Sequence, residues 1–490
     1  MNNNLLIAFS SYFEDLSPHD LTMWNAEKYV EYLIRYARKF NIWSAIRFKS
    51  RVTSVERLQG SSGWNLSVTG PEGLESHSFD YLVVCTGVHS TPSSPELPNS
   101  SCFTGKIIHG NDVNDPEDFR GKKVVLVGTG EYGSDLAYLI GRVSESLQVS
   151  VRRWVGYMIP RYHDHAPTDL DTSRLYHSLP KSPFRNLPAR VLKWKRKTEF
   201  KLIHSAHDRA VQKKADELNQ SCPAGVFQRT SSKSENLIRS LLESGVTLRP
   251  EITDLQGLKV SFQDGSECEC DVIILCTGFR PEFPFLDDRL RFQAKNIRNM
   301  AYYMLPLQEN NVAFVGFTRP GVGSIPPMAE LQARYLALLL SRDRPFPDYH
   351  SRKRQAELQH AEDFRQFPLD AGRLSGLTDY HRFLTTMAKL TGCEPPVFRL
   401  FLRSPVLFFK VYCAFICPAQ FRLYGPGSDF DNASRLIKSL PTVSLKILLT
   451  ELLLQILSLP DRKFPGASVW KRVFRKIFHS RLKSTDGGVP

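Results

Sequence analysis

Paired cysteines are missing from this 490-residue chain: its nine, at 85, 102, 222, 268, 270, 276, 393, 413 and 417, are odd in number and contain no C-x-x-C. That pattern excludes a disulfide scaffold and zinc-type ligand spacing, and it predicts structural thiols in a reducing compartment. The start, MNNNLLIAFSSYF, lacks a basic n-region and a sustained apolar run, so no signal peptide is expected. Uninterrupted long apolar runs are absent as well. Val406 to Ala419 and Val443 to Leu459 come nearest, but Lys410, Lys446, Glu451 and Gln455 break them, and both are short for a spanning helix. Around Lys193-Trp194-Lys195-Arg196-Lys197 there is no second aromatic-basic cluster, so a solvated helix face is expected there and no nucleic acid. No metal-ligand set and no nucleophile-base triad stands out.

What is present is ordinary globular composition, 42% hydrophobic and 23% charged, with room for two or three domains. A net charge of +14 asks for an anionic partner, either nucleic acid, a phosphorylated cofactor or an acidic membrane surface. The stretch Lys122 to Trp154 favours the cofactor. Val124 to Val127 read as a buried parallel strand, and Gly128, Gly130 and Gly133 follow as G-x-G-x-x-G. In that motif the first glycine serves the tight turn, the second the approach of a pyrophosphate, and the third close helix–strand packing. Leu136, Ala137, Leu139 and Ile140 give the next helix an apolar side, and Leu147, Val149 and Val151 complete a βαβ unit. Where an NAD site carries an acid, Arg152 and Arg153 end the second strand, which favours the 2′-phosphate of NADP over a plain solvated strand end.

Elsewhere the chain alternates short elements. Asn25 is the expected cap of a helix whose apolar face is Tyr29, Val30, Leu33, Ile34, Ala37 and Phe40. A β-hairpin is expected from Val52 to Val55 and Trp64 to Val68. Tyr81 to Cys85 enters Thr86-Gly87, and Val272 to Cys276 enters Thr277-Gly278; two such junctions flanking the βαβ unit suggest two nucleotide-binding lobes joined by crossing segments. After Val312 to Gly316, a helix is expected to begin near Met328 and carry Glu330-Leu-Gln-Ala-Arg334. Residues 462 to 483 hold eight basic residues and no acid, with Trp470, Val473, Phe474, Ile477 and Phe478 at helical spacing. This pattern suits a helix lying on an anionic membrane surface, with a disordered basic tail as the rival reading.

The chain resembles the flavin-containing monooxygenases. Phe103-Thr-Gly105-Lys-Ile-Ile-His109 is similar to the family's F-x-G-x-x-x-H motif, Thr277-Gly-Phe279 with Phe283-Pro-Phe-Leu286 to its ATGY and FPFL run, and Glu330 to Arg334 and Gln420 to Gly427 to later signatures. The resemblance implies a two-dinucleotide-binding-domain flavoprotein, with a Rossmann-like NADP domain inserted in an FAD-type domain and a helical C-terminal region. It implies FAD and NADPH as cofactors and the insertion of one oxygen atom from O₂ into nitrogen or sulfur of a small lipophilic substrate. The flavin carries that chemistry, so no catalytic side chain is identifiable. Implied cofactor-binding residues are Gly128, Gly130, Gly133, Ser134, Arg152, Arg153, Thr86, Gly87, Thr277, Gly278 and Gln332.

Departures from the family shape further expectations. An N-terminal FAD-binding βαβ unit is not found before Asn25, so an N-terminally incomplete chain is expected. The family's flavin-side asparagine falls at about Met1, leaving Asn2, Asn3 and Asn4 as substitutes. Val113 stands where an aromatic is usual, and Glu131-Tyr132 where Asn-Ser is usual; a carboxylate beside a pyrophosphate is unfavourable unless it points away. The expected domains are 1–113 as the remaining N-terminal part of the FAD-type domain, 114–284 for NADP, 285–440 as the second FAD-type part, and 441–490 as a hydrophobic and basic tail. Alternatives are a catalytically impaired, membrane-surface NADP-binding protein and a Baeyer–Villiger type oxygenase. The expected location is intracellular, on the cytoplasmic face of a membrane such as the endoplasmic reticulum.

Overall fold

The computed structural model describes residues 2–442 and 449, apart from 14, 61, 153–154, 179–202, 222–229, 369 and 372–373. The chain opens with a short helix, α1 (Asn4–Ile7), followed by α2 (Ala26–Lys39), which is capped by the expected Asn25 accepting from the Lys28 N–H. Of its expected apolar face, Ala37 is buried and Tyr29 and Leu33 pack against the core. Val30 and Phe40 are exposed, whereas Tyr32 is buried. The Tyr32 hydroxyl accepts from the Phe9 N–H at 2.7 Å and donates to Tyr12 O at 3.0 Å, so an aromatic with two backbone partners takes the interior in place of aliphatic residues.

The expected hairpin is β1 (Arg51–Arg57) and β2 (Trp64–Gly70), extended by a third antiparallel strand, β3 (Gly73–Phe79). The sequence GLESHSF hides β3 because it has no buried face to alternate. Then β4 (Leu82–Val84) runs toward Thr86-Gly87, and β5 (Lys106–His109) leads to the βαβ unit of β6 (Lys123–Val127), α3 (Glu131–Gly141) and β7 (Ser146–Ser150). Next come β8 (Tyr157–Ile159), α4 (Arg174–Ser178), α5 (Ala206–Gln220), β9 (Ser231–Lys233), α6 (Asn236–Glu243) and β10 (Thr247–Arg249). A three-stranded antiparallel sheet of 252–256, 259–262 and 267–269 precedes β11 (Val272–Leu275).

A five-stranded sheet results, all parallel, in the order β10-β7-β6-β11-β5. Val125, Leu126, Ile273 and Ile274 at its centre are fully buried, as continuous apolar strands between two covered faces require. The sheet includes β5, upstream of the start expected at 114, because Lys106 to His109 pair with Val272 to Leu275.

The second parallel unit is smaller. β12 (Val312–Phe314) pairs with β4, and among the described residues these are its only strands. No strand precedes β1 among the described residues. The next helix, α7 (Ile325–Leu340), starts before the expected Met328 because Pro326 and Pro327 occupy its first turn, where no N–H is needed. Helices α8 (Tyr349–Gln366), α9 (Tyr380–Thr391), α10 (Pro405–Cys413) and α11 (Phe430–Ser439) complete the described chain. Leu5, Leu6, Tyr12 and Tyr32 share one core with Leu407, Val411, Leu436 and Ile437, which fastens the N-terminal segment to the last helices. Among the described residues, no helix is long and apolar enough to cross a membrane. Arg153, Lys193 to Lys197 and residues 462 to 483 lie outside the described residues.

Candidate functional site

The three glycines between β6 and α3 sit in three different environments. Gly128 has φ +110°, and a Cβ there would lie 2.6 Å from Cys276 O. A Cβ on Gly133 would lie 2.4 Å from Gly128 O. Both positions therefore exclude a side chain, one by backbone conformation and contact, the other by contact alone. Gly130 differs: nothing lies within 4 Å of its missing Cβ, so the backbone there faces open space at the start of α3. Beneath the turn, burial pushes the Cys276 thiol up to about 12, which keeps it neutral.

Glu131 and Tyr132 both turn aside from this opening. The Glu131 carboxylate accepts from the Lys233 N–H at 3.1 Å, and the Tyr132 hydroxyl donates to Gly110 O at 2.6 Å. Ser134 is fully buried, its N–H donating to Gly130 O at 2.8 Å, so it braces the turn from inside. Arg152 is exposed beyond the end of β7.

The two Thr-Gly turns share a backbone shape. Gly87 has φ +77° and Gly278 +87°, and no atom lies within 4 Å of either missing Cβ. Thr86 is exposed, whereas the Thr277 hydroxyl donates to Ser93 O. The motif of Phe103, Gly105 and His109 supports the second turn. A Cβ on Gly105 would strike Asp271 O and the Phe103 ring, both at 2.6 Å. His109 Nδ1 accepts from the Asn111 N–H at 3.1 Å, which leaves Nε2 to donate to Gly278 O at 3.1 Å. This motif is architectural: it ties β5 to the crossing chain.

At the junction of the two lobes the structure brings together residues far apart in sequence. Asn2 Nδ2 donates to Gly323 O at 3.0 Å, and its Oδ1 accepts from Lys233 Nζ at 2.5 Å. The Lys233 ammonium is 3.4 Å from Asp169, whose carboxylate also accepts from the Asn3 N–H at 2.8 Å. Asn3 Oδ1 caps α1, and Asn4 Nδ2 donates to Asp20 O at 2.9 Å. Lys233 and Asp169 are buried, so their charges are held by each other. Three polar atoms here, Asn3 Nδ2, Asp169 Oδ1 and Ser324 Oγ, are buried without a hydrogen-bond partner. Sequence reasoning missed Lys233 and Asp169. Neither lies in a motif, and no residue pattern around them marks either one.

Gln332 lies within α7. Fully buried, it accepts from the Gly316 N–H at 3.1 Å and donates to Tyr302 O at 3.1 Å, so it shapes the turn after β12. Glu330 and Arg422, from the two later signatures, meet at 3.4 Å, and both bond Ser10. A cavity of about 520 Å³ lies at Arg289, Gln308, Asn310, Tyr349 and Arg352. Asn310 precedes β12, which puts this cavity at the opposite end of the β4–β12 pair from Gly87 and Gly316; parallel sheets bind ligands at the carboxyl ends of their strands.

Comparison with known proteins agrees with this arrangement. The flavin-binding monooxygenase-like family matches residues 7–481. A 4-hydroxybenzoate brominase (decarboxylating) of Marinomonas mediterranea is 30% identical over 453 residues, covering 90% of this chain and 84% of that protein. Dimethylaniline monooxygenase (N-oxide-forming) 2 of Macaca mulatta is 27% identical over 437 residues, with 86% and 78% covered. Among solved structures, cyclohexanone monooxygenase from Rhodococcus sp. Phi1 bound to NADP⁺ superposes with a TM-score of 0.56 at 16% identity, covering 80% of this chain and 88% of that one.

Proposed function

The chain belongs to the flavin-binding monooxygenase-like family, as a flavin-dependent monooxygenase with FAD and NADP(H) as its cofactors, and from that premise we propose that it oxygenates nitrogen or sulfur in small lipophilic substrates. The balance is substrate, O₂, NADPH and a proton giving oxygenated substrate, water and NADP⁺. The flavin, when bound, supplies the redox and oxygen chemistry.

The observation that carries the reading is the open backbone at Gly130, between two glycines that are tightly packed, with a buried donor–acceptor cluster at the neighbouring lobe junction. In this reading Gly128, Gly130 and Gly133 hold the NADPH pyrophosphate, and Arg152 with Arg153 takes the 2′-phosphate. Glu131 is drawn off by the Lys233 N–H, which removes its repulsion from the phosphates. Asn3, Asp169 and Ser324 offer the flavin ring or nicotinamide edge the hydrogen bonds they lack among themselves. Lys233 orients the Asn2 carboxamide and compensates Asp169. Thr86-Gly87 and Thr277-Gly278 let the chain pass close to bound nucleotide between the lobes. We also propose that residues 462 to 483 rest on an anionic membrane surface.

A second reading draws on the brominase relative: bromide oxidation, with a phenolic acid as acceptor. The test is product analysis. The full chain, purified with FAD, is given NADPH and O₂ with N,N-dimethylaniline, a thioether, cyclohexanone, or bromide plus 4-hydroxybenzoate. N-oxide or sulfoxide formation supports the main reading, and bromophenol supports the second. Lactone alone would replace both with a Baeyer–Villiger assignment, and NADPH binding without any product would mean an impaired NADP-binding protein.

A further inference from the structure

Large apolar side chains scattered singly over a protein surface are ordinary, and a contiguous group of them is not. The helix Val397–Arg403 and α10, which follows it after Ser404, pack against each other and carry such a group. Leu400, Leu407 and Val411 are buried and fasten both helices to the core that holds the N-terminal segment. Outward on the first helix stand Phe398, 74% exposed, Phe401 and Leu402, 66% exposed, and spacings of three and four put them on one side. On α10, Val406 and Phe409 are exposed at a spacing of three. The Phe401 ring meets the Phe408 ring at 5.3 Å, which joins the two helices at this surface.

Charge along this stretch has one sign. Arg399 and Arg403 are exposed among these side chains and, among the described residues, have no ion pair. No acid occurs in residues 395–428, and a serine, Ser404, caps α10. The chain also leaves from here: Lys410 Nζ, on α10, donates to Leu440 O, so the residues that lead on to the basic stretch 462 to 483 start beside this surface. Aromatic and aliphatic side chains with arginines interleaved and acids excluded suit the interface of an anionic bilayer, and neither helix is long enough to cross one. Nucleic acid fits less well, because Leu402 and Val406 offer bases no ring to stack on. A second copy fits less well too, because pairing this face with itself would bring four arginines together with no acid between them.

We propose that the helix Val397–Arg403 and α10 form a second membrane contact, seated in the interface of an anionic bilayer. Phe398, Phe401, Leu402, Val406 and Phe409 enter the boundary between headgroups and acyl chains, and Arg399 and Arg403 remain at the lipid phosphates. The contact rests on the membrane reading of residues 462 to 483 for recruitment, and it adds what charge alone does not, an attachment that salt cannot screen. One weak anchor gives reversible binding, and two give a stable one.

The test uses the full chain purified with FAD and vesicles of equimolar phosphatidylcholine and phosphatidylserine, sedimented at low salt and again in about 0.5 M NaCl, where exposed charges are largely screened. The wild type is expected on the vesicles at both salts. Phe398→Ser with Leu402→Ser should keep the unfolding temperature and the low-salt binding, while its partition in high salt falls about tenfold to a hundredfold. Leu74→Ser with Phe292→Ser, equally exposed but elsewhere, should change nothing. Backbone hydrogen exchange across 397–409 should slow when vesicles are added. If deleting 462–483 removes binding and the Phe398→Ser, Leu402→Ser variant behaves as wild type at both salts, this contact is overturned and the tail reading stands; the converse result overturns the tail reading and leaves this contact. A wild type that stays in solution overturns both. Exchange that slows with protein concentration in the absence of vesicles would assign the face to a second copy, and slow exchange that is lost on removing 443–490 would assign it to the chain's own end; either result would overturn the proposal.

Discussion

The two parallel units of this protein end in nearly the same words, VVCTG at Cys85 and ILCTG at Cys276, and are held together by different means. The unit around β11 is a five-stranded sheet whose central residues are all apolar and fully buried. The unit around β4 has two strands, and Val83 is 42% exposed. Its strands pack into a large apolar core with the helices that follow, and beside that core lies a buried polar network: the Asp363 carboxylate receives Arg298, Tyr303, Thr378 and Arg382. This contrast teaches that a strand entering Thr-Gly specifies a turn, not the sheet behind it. Both turns rest on apolar packing, and the second adds charges and hydrogen bonds converging on one buried carboxylate.

The contrast breaks most visibly at Asp363. Asp363→Ala strands the 1%-exposed Arg298 and should cost about 3–5 kcal/mol, measured by urea unfolding, while tryptic protection of residues 106–150 survives. In the other unit, Gly133→Val drives two methyls toward Gly128 O. A loss of about 3 kcal/mol with NADPH affinity falling in parallel is expected, whereas Gly130→Ala, in open space, should leave unfolding nearly unchanged. At the junction, Lys233→Met removes the cation from the buried Asp169. About 3 kcal/mol of stability should be lost, and Lys233→Arg should restore part of it. Reversing charge in Arg152→Glu with Arg153→Glu should lower kcat/KM for NADPH roughly tenfold to a hundredfold and leave NADH almost untouched. Smallest of all, deleting residues 462–483 should abolish retention on anionic vesicles and leave turnover unaltered.

Much of the nucleotide fold was legible in sequence because its signals are local. Buried strands read as apolar runs, glycine spacing marks the turn, and Asn25 caps α2 as its residue type predicts. The motif of Phe103, Gly105 and His109 was legible as a resemblance, while its structural purpose, bracing Gly278, needed three dimensions. β3 was hidden by the lack of a buried face to alternate with a polar one, and Tyr32 by the hydrogen bonds that carry it inside. The junction was illegible for another reason. Asn2, Asp169, Lys233 and Gly323 come from four segments, and no spacing rule links residues that meet only when two lobes close. Ser134 and Gln332 are buried and bonded to backbone groups, a setting that the motifs containing them do not specify.

The most direct test of the account is anaerobic flavin reduction as a function of NADPH concentration, in the wild type and in Gly130→Leu. A leucine there fills the open space at Gly130, the proposed place of the pyrophosphate, without touching the packed side of the turn. The account predicts that the apparent Kd for NADPH rises about a hundredfold, equivalent to about 2.7 kcal/mol, with flavin content and unfolding unchanged. An unaltered Kd, or a loss of flavin in step with the loss of NADPH binding, would contradict it.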